Sequence, residues 1–138
     1  MQDKYDIVII DCPPNTGPFT SNAVVASDYV ITPMTINSLS LQGFKYTLDF
    51  VESAQLMNPN LKFLGVVMNL ADKRYAAHKA IIDLVNSRYS EYVICPPFSR
   101  RAVYQRVLET GQNIFKEIIA NDAPVRQKII SKLYIQCI

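Results

Sequence analysis

An α/β fold, a mostly parallel sheet flanked by helices, is what this sequence predicts, and three observations predict it. Short apolar runs rich in Val and Ile recur along the chain and stop at proline or a carboxylate. Segments with apolar residues at helical spacing separate those runs. The runs are apolar on both faces, as strands are when helices cover both sides of a parallel sheet.

The first run, residues 5–10, reads as a buried strand and ends at Asp11. Asn15-Thr16-Gly17-Pro18 is a loop, and a short helix over 19–26 faces Ala and Val toward the sheet. A second strand covers 29–33 and closes at Pro33. Ser38 or Ser40 caps a long helix to about residue 57, with Leu41, Phe44, Leu48, Val51 and Leu56 at helical spacing. Asn58-Pro59-Asn60 ends it, and residues 61–68 form a third strand. A second long helix runs from 75 to about 89, with Ala76, Ala80, Ile81, Leu84 and Val85 on one face. A fourth strand, 92–95, is stopped by Pro96-Pro97. Residues 101–110 read as helical before Gly111, a natural residue just past a helix end. Asn121 or Asp122 caps a last helix with Pro124 in its first turn and Val125, Ile129, Ile130 and Leu133 toward the sheet.

A chain of 138 residues fits a single domain, 1–138. At that size it buries roughly two-thirds of the surface its unfolded form exposes. A hydrophobic fraction of 49% and a charged fraction of 19% are those of an ordinary globular protein. The net charge of +2 excludes a global polyanion-binding signature, so any basic patch is local. No apolar run reaches the ~18 residues of a membrane span, and no signal-peptide pattern precedes the first strand. Cys12, Cys95 and Cys137 are too far apart for a CxxC metal or redox motif. A cytoplasmic location is therefore expected.

Asp11 stands where open α/β sheets bind ligands, beyond the carboxyl end of a strand. A carboxylate there holds Mg²⁺, commonly through water, while the metal bridges phosphate oxygens. The same acid also serves simply as a helix cap or a polar strand end. Pro13-Pro14 stiffens the loop that follows, and Gly17 lets it turn close to a phosphate.

Several segments together carry a resemblance. They are Asp11-Cys12-Pro13-Pro14-Asn15-Thr16-Gly17, the small-residue helix ending Ala26-Ser27-Asp28, Pro33-Met34, and Ser40-Leu41-Gln42-Gly43. With Leu64 to Arg74 and Pro97 to Glu117, they resemble the second half of the ParA/MinD-type partition ATPases, over nearly the whole chain. The resemblance implies part of a P-loop NTPase fold, Rossmann-like and three-layered. It implies Asp11 as the Walker B acid, catalytic and magnesium-ordering, with Pro13, Pro14 and Gly17 in the second switch loop. Asn69, and less directly Asp72, fall where the family contacts adenine; Asn69 serves equally as a strand-end turn residue bonded to its own backbone. The family's Lys-Gly-Gly-x-Gly-Lys-[Ser/Thr] loop is not among these residues. ATP and Mg²⁺ are therefore expected only with the missing N-terminal half, and this chain alone is expected to be inactive.

The resemblance also implies partners: a homodimer or a full-length ATPase, nonspecific DNA, and a centromere-binding partition protein, with association to the nucleoid if DNA is bound. Arg100, Arg101 and Arg106 are the candidate phosphate contacts, against the plainer reading of a solvated polar face. The last helix has too few basic residues for a membrane anchor, so no membrane partner is expected. His78 has no ligand-spaced Cys or Asp and reads as a surface or core-edge residue. Two alternatives stand beside the partition ATPase. One is a non-catalytic interaction module or regulator derived from such an ATPase. The other is a different Mg-dependent enzyme, similar to dethiobiotin synthetase or the nitrogenase iron protein. Its iron–sulfur form needs cysteine spacing this chain lacks.

Overall fold

The computed structural model describes residues 5–72 and 74–100, together with Glu109. Most of the helix expected over 101–110 and all of the last helix lie outside the described residues, as do Lys73, Arg101, Arg106 and Cys137.

The first helix, α1 (Pro18–Val25), starts at Gly17 with Pro18 in its first turn, where a missing N–H costs nothing. The strand that follows, β1 (Tyr29–Thr35), runs two residues past its expected stop, straight through Pro33. Strand proline is tolerated at a sheet edge, where its absent N–H is not needed by a neighbour. Among the described residues β1 is such an edge, because it pairs only with β2 (Lys62–Asn69). The two are parallel, from Tyr29 opposite Lys62 to Thr35 opposite Asn69.

Between them lies α2 (Ser38–Met57). Its N-cap is Asn37 rather than either serine: the Asn37 side chain accepts the Ser40 N–H at 2.8 Å. Phe44, Val51 and Ala54 are buried along one face, with Leu41 and Leu48 packed beside them. Leu56 departs from expectation and is exposed. Five residues past Val51 is about 140° around the helix, which takes Leu56 off the buried stripe.

After β2 comes α3 (Ala76–Arg88), capped by the flanking Tyr75 and Tyr89. Val85 is buried and Ile81 is packed against the core, whereas Ala76 and Ala80 face solvent. The fourth strand does not form. Ser90–Tyr92 is a single 3₁₀ turn, closed by the Tyr92 N–H on the Tyr89 carbonyl at 2.9 Å. Only three residues then remain before Pro96-Pro97, too few for a ladder. One bridge survives, Val93 beside Val66, and the Ile94 N–H reaches the Val66 carbonyl at 3.3 Å.

The largest correction concerns residues 5–10. They join no sheet, and Tyr5, Ile7, Val8, Ile9 and Ile10 are exposed, Ile9 at 87%. An apolar run becomes a buried strand only where strands flank it and helices cover it, and the described residues supply neither.

The core has two parts. Met34, Ile36, Phe44, Val66, Met68, Ala71 and Val85 form the larger, and Val24, Val51, Ala54 and Leu61 the smaller. Phe63 packs against both. Gly65 makes the join between β2 and the 3₁₀ turn possible. The pairing skips from Val30–Phe63 to Ile31–Gly65, a bulge at Leu64, and Gly65 takes a φ of 129°.

Candidate functional site

A cleft of about 700 Å³ opens between the loop after Ile10 and the strand β1. Asp11, Pro13 and Pro14 line it, as do residues 30–35. Residues of α1 and α2, Thr20 and Phe50 among them, complete its wall. Asp11 is exposed there, followed at once by Cys12 and the double proline. The Pro13 carbonyl accepts the Asn15 N–H at 2.8 Å and the Thr20 hydroxyl at 3.5 Å, tying the loop to α1. Gly17 caps α1 and donates its N–H to Asn15 Oδ1 at 3.1 Å. A Cβ on Gly17 would stand 3.0 Å from that same oxygen, so the glycine lets the turn close.

At the end of β1 a polar cluster faces the same cleft. Thr35 Oγ1 and Ser40 Oγ are 2.7 Å apart, and Asn37 Nδ2 donates to Thr35 Oγ1 at 2.9 Å. Both hydroxyls line the cleft with Asp11. Thr35 was not foreseen in the sequence, because its place depends on β1 running past Pro33.

Asn69 and Asp72 are not on the wall of this cleft. Asn69 ends β2 opposite Thr35, and its Oδ1 accepts the N–H of Leu70 at 2.8 Å. That bond is the turn role expected as the alternative to base contact. Leu70 carries a φ of 57°, a left-handed bend that ends β2 before Ala71 pairs with Ser99. Asp72 pairs with Arg74, with Oδ2 to Nη2 at 2.6 Å and Oδ1 to Nε at 2.9 Å. Its own N–H donates to His78 Nδ1 at 3.1 Å, and the Tyr75 and His78 rings lie 5.6 Å apart. His78 thus secures the loop after β2, half-buried, the second of the surface and core-edge readings of the sequence. The Arg100 N–H donates to the Ala71 carbonyl at 2.9 Å, which brings Arg100 to the same end of β2.

The hydrogen bonds from the Arg74 side chain and backbone, then its charge, hold the Asp72 carboxyl down from 3.8 to about 2. A depressed carboxyl contributes stability that is complete above pH 3.8 and is lost as pH falls through about 2. Arg74 is open to solvent although the Asp72 side chain is largely covered, so the pair is screened from one side and its contribution is small. We predict that an NMR titration of the Asp72 carboxyl carbon will show a midpoint near 2, rising toward 3.8 in Arg74→Ala. A wild-type midpoint at 3.8 would remove the pair from solution.

No group of three or more His, Cys, Asp or Glu is arranged for a metal among the described residues. A lone exposed carboxylate in a cleft that two hydroxyls also line suits Mg²⁺, which keeps its waters and takes one or two carboxylates plus phosphate oxygens. It does not suit a metal that needs a complete protein cage.

Comparison with known proteins gives a consistent set of likenesses. A family model described as an AAA domain, AAA_31, matches residues 1–63. The chromosome partitioning protein ParA of Myxococcus xanthus (strain DK1622) is 27% identical over 140 residues, covering 88% of this chain and 49% of the relative. The sporulation initiation inhibitor protein Soj of Bacillus subtilis (strain 168) is 33% identical over 94 residues, covering 67% of this chain and 37% of the relative. Among solved structures, cobyrinic acid a,c-diamide synthase from Mycobacterium smegmatis superposes with a TM-score of 0.62 at 30% identity. That match covers 78% of this chain and 49% of the synthase, whose structure is also known with ADP and magnesium and with an ATP analogue and magnesium. The chain spans about half the length, or less, of the relatives it matches. No described helix is long and apolar enough to cross a membrane.

Proposed function

The chain belongs to the ParA-like family of partition ATPases, and from that premise we propose that it supplies the Asp11-bearing part of an MgATP site used in DNA partitioning. The observation that carries this reading is the Asp11-Cys12-Pro13-Pro14 turn. Its exposed carboxylate lines the same cleft as Thr35 and Ser40, whose hydroxyls are bonded to each other. Bound magnesium would neutralise phosphate charge there. Asp11 would orient the metal's water shell, and the Pro13-Pro14 turn, tied through the Pro13 carbonyl to α1, would keep that carboxylate in place. Gly17 belongs to the same switch loop in this reading.

The phosphate-cradling backbone must come from a P-loop segment outside these 138 residues. With it, the assembly would dimerise around ATP, bind DNA without sequence preference and answer to a centromere-bound partner. Arg100, with Arg101 and Arg106, would supply phosphate contacts that weaken with salt. Asn69 and Asp72 are kept as adenine-side candidates; the Asn69 amide would first have to release the Leu70 N–H.

Calorimetry with MgATP tests this. The chain alone is expected to give no heat of binding, and its mixture with a separately made P-loop half is expected to bind. Asp11→Asn in the mixture should weaken magnesium-dependent binding by about tenfold or more, the cost of losing one charge-assisted contact. Equal binding by the variant would take Asp11 out of the site. No binding by the mixture would favour the second reading, a non-catalytic interaction module, for which the exposed apolar run at residues 5–10 is the supporting observation.

A further inference from the structure

The loop after β2 is held to α3 by a bond that depends on the charge of one side chain. The Asp72 N–H donates to Nδ1 of His78 at 3.1 Å, and a ring nitrogen accepts only while it carries no proton. The bonds within the turn have no such dependence. The Tyr75 N–H donates to the Asp72 carbonyl at 3.2 Å, and the Arg74 N–H and Nε donate to Asp72 Oδ1 at 3.1 and 2.9 Å. Asp72, Arg74 and Tyr75 are thereby joined to one another. Ala71, just before them, is held separately. Its N–H donates to the Phe98 carbonyl at 2.8 Å, and its carbonyl accepts the Arg100 N–H at 2.9 Å.

We infer that the bond from the Asp72 N–H to His78 Nδ1 is a proton-operated latch, closed when the imidazole is neutral and open when it is charged. Protonation turns Nδ1 from an acceptor into a donor, so two N–H groups would face each other and the bond is lost. The charged ring gains a different partner on the same residue, the Asp72 carboxylate, which lies near enough for the two charges to interact. The ring is half-buried, so a proton reaches it without unfolding. The charged and titratable groups on the elements around it are Asp72 and Arg74 on the loop, Tyr75 and Lys79 at the start of α3, and Arg100 on the segment bonded to Ala71. Histidine is the side chain whose charge changes between about pH 5 and 8. The Asp72 carboxyl, held down to about 2 by Arg74, stays ionised throughout that range.

Opening the latch releases Asp72, with the exposed Arg74 that it carries, and leaves β2 in place, because the bonds of Ala71 do not involve the ring. Asp72 is also an adenine-side candidate, so the same proton would move that residue. This consequence rests on the ParA-like reading, whereas the latch and its test need no nucleotide, so the two fail separately.

The test is NMR on the untagged chain, whose single histidine makes the ring signals unambiguous. At about pH 8 a long-range proton–nitrogen spectrum should show a neutral ring protonated on Nε2. From about pH 8 to 5, exchange of the Asp72 amide, corrected for its intrinsic pH dependence, should quicken by about tenfold or more as the ring titrates. The Tyr89 amide, bonded to the Val85 carbonyl at 2.8 Å, should keep its protection over the same range. His78→Asn offers a non-titrating acceptor near the Nδ1 position and should keep the Asp72 amide protected at the acid end. His78→Phe keeps a ring beside Tyr75 without an acceptor and should leave that amide unprotected even at the alkaline end. A neutral ring protonated on Nδ1 would overturn the inference, as would a titrating ring that leaves Asp72 exchange unchanged. So would equal loss of protection at Tyr89, which would mark a general loosening of the fold.

Discussion

Gly65→Ala is expected to destabilise the protein by about 3 kcal/mol or more, combining backbone strain with overpacking. Two penalties act at this one position. The backbone φ of 129° is a conformation that side-chain-bearing residues rarely adopt. The added Cβ would also overlap the Tyr92 carbonyl oxygen and stand 2.9 Å from its carbon and 3.1 Å from Ile94 Cγ1. Two of those three atoms are backbone and cannot rotate away. Relief would need the 3₁₀ turn Ser90–Tyr92 to lift from β2, giving up the Val66–Val93 bridge. Urea unfolding of wild type and variant measures the loss, provided the slope is unchanged. A loss below about 1 kcal/mol, the usual value for an unexceptional substitution, would mean that the close approach is not maintained in solution.

Phe44→Ala should cost about 3–5 kcal/mol, the range for emptying an aromatic site in a core. Phe44 is 2% exposed and meets three rings: Tyr89 edge-on at 5.3 Å, Phe63 at 6.3 Å and Tyr92 at 6.3 Å. The ring therefore joins α2 to β2 and to the turn after α3. Tyr92 is also the residue whose carbonyl faces Gly65, so the two sites share a neighbour. The double variant should lose less than the sum of the singles, because a lifted turn has already given up part of the Phe44 packing. Thermal or urea unfolding of the four proteins gives the coupling directly. Strict additivity would show that the turn moves independently of the ring cluster.

Which parts were legible in the residues follows from how local each signal is. The helices α1, α2 and α3 lie within a few residues of expectation, because helical spacing and its stop signals act over neighbouring turns. The buried positions Phe44, Val51 and Val85 were legible for the same reason. The N-cap of α2 was not, since Asn37, Ser38 and Ser40 are all competent caps. Only the observed bond from Asn37 to the Ser40 N–H distinguishes them.

The candidate site divides along the same line. Asp11-Cys12-Pro13-Pro14 was conspicuous as a sequence, and these residues line the cleft. The hydroxyls of Thr35 and Ser40 were not anticipated, because they meet only through the capping turn at Asn37. The Asp72–Arg74–His78 arrangement was missed too. Residues two and six positions apart are brought together by a turn whose left-handed Leu70 no composition rule announces.

By itself the sequence determined the α/β class, the family, the order of helices and the acid at the end of the first apolar run. All of these rest on contiguous residues, where periodicity, caps and motif spacing act over a few ångströms. Tertiary structure alone decided which apolar runs are strands. Residues 5–10 and 62–69 read alike in composition, yet only the second is in the sheet. A strand is stabilised by hydrogen bonds to another segment and by helices that cover it, and neither is encoded within the strand itself.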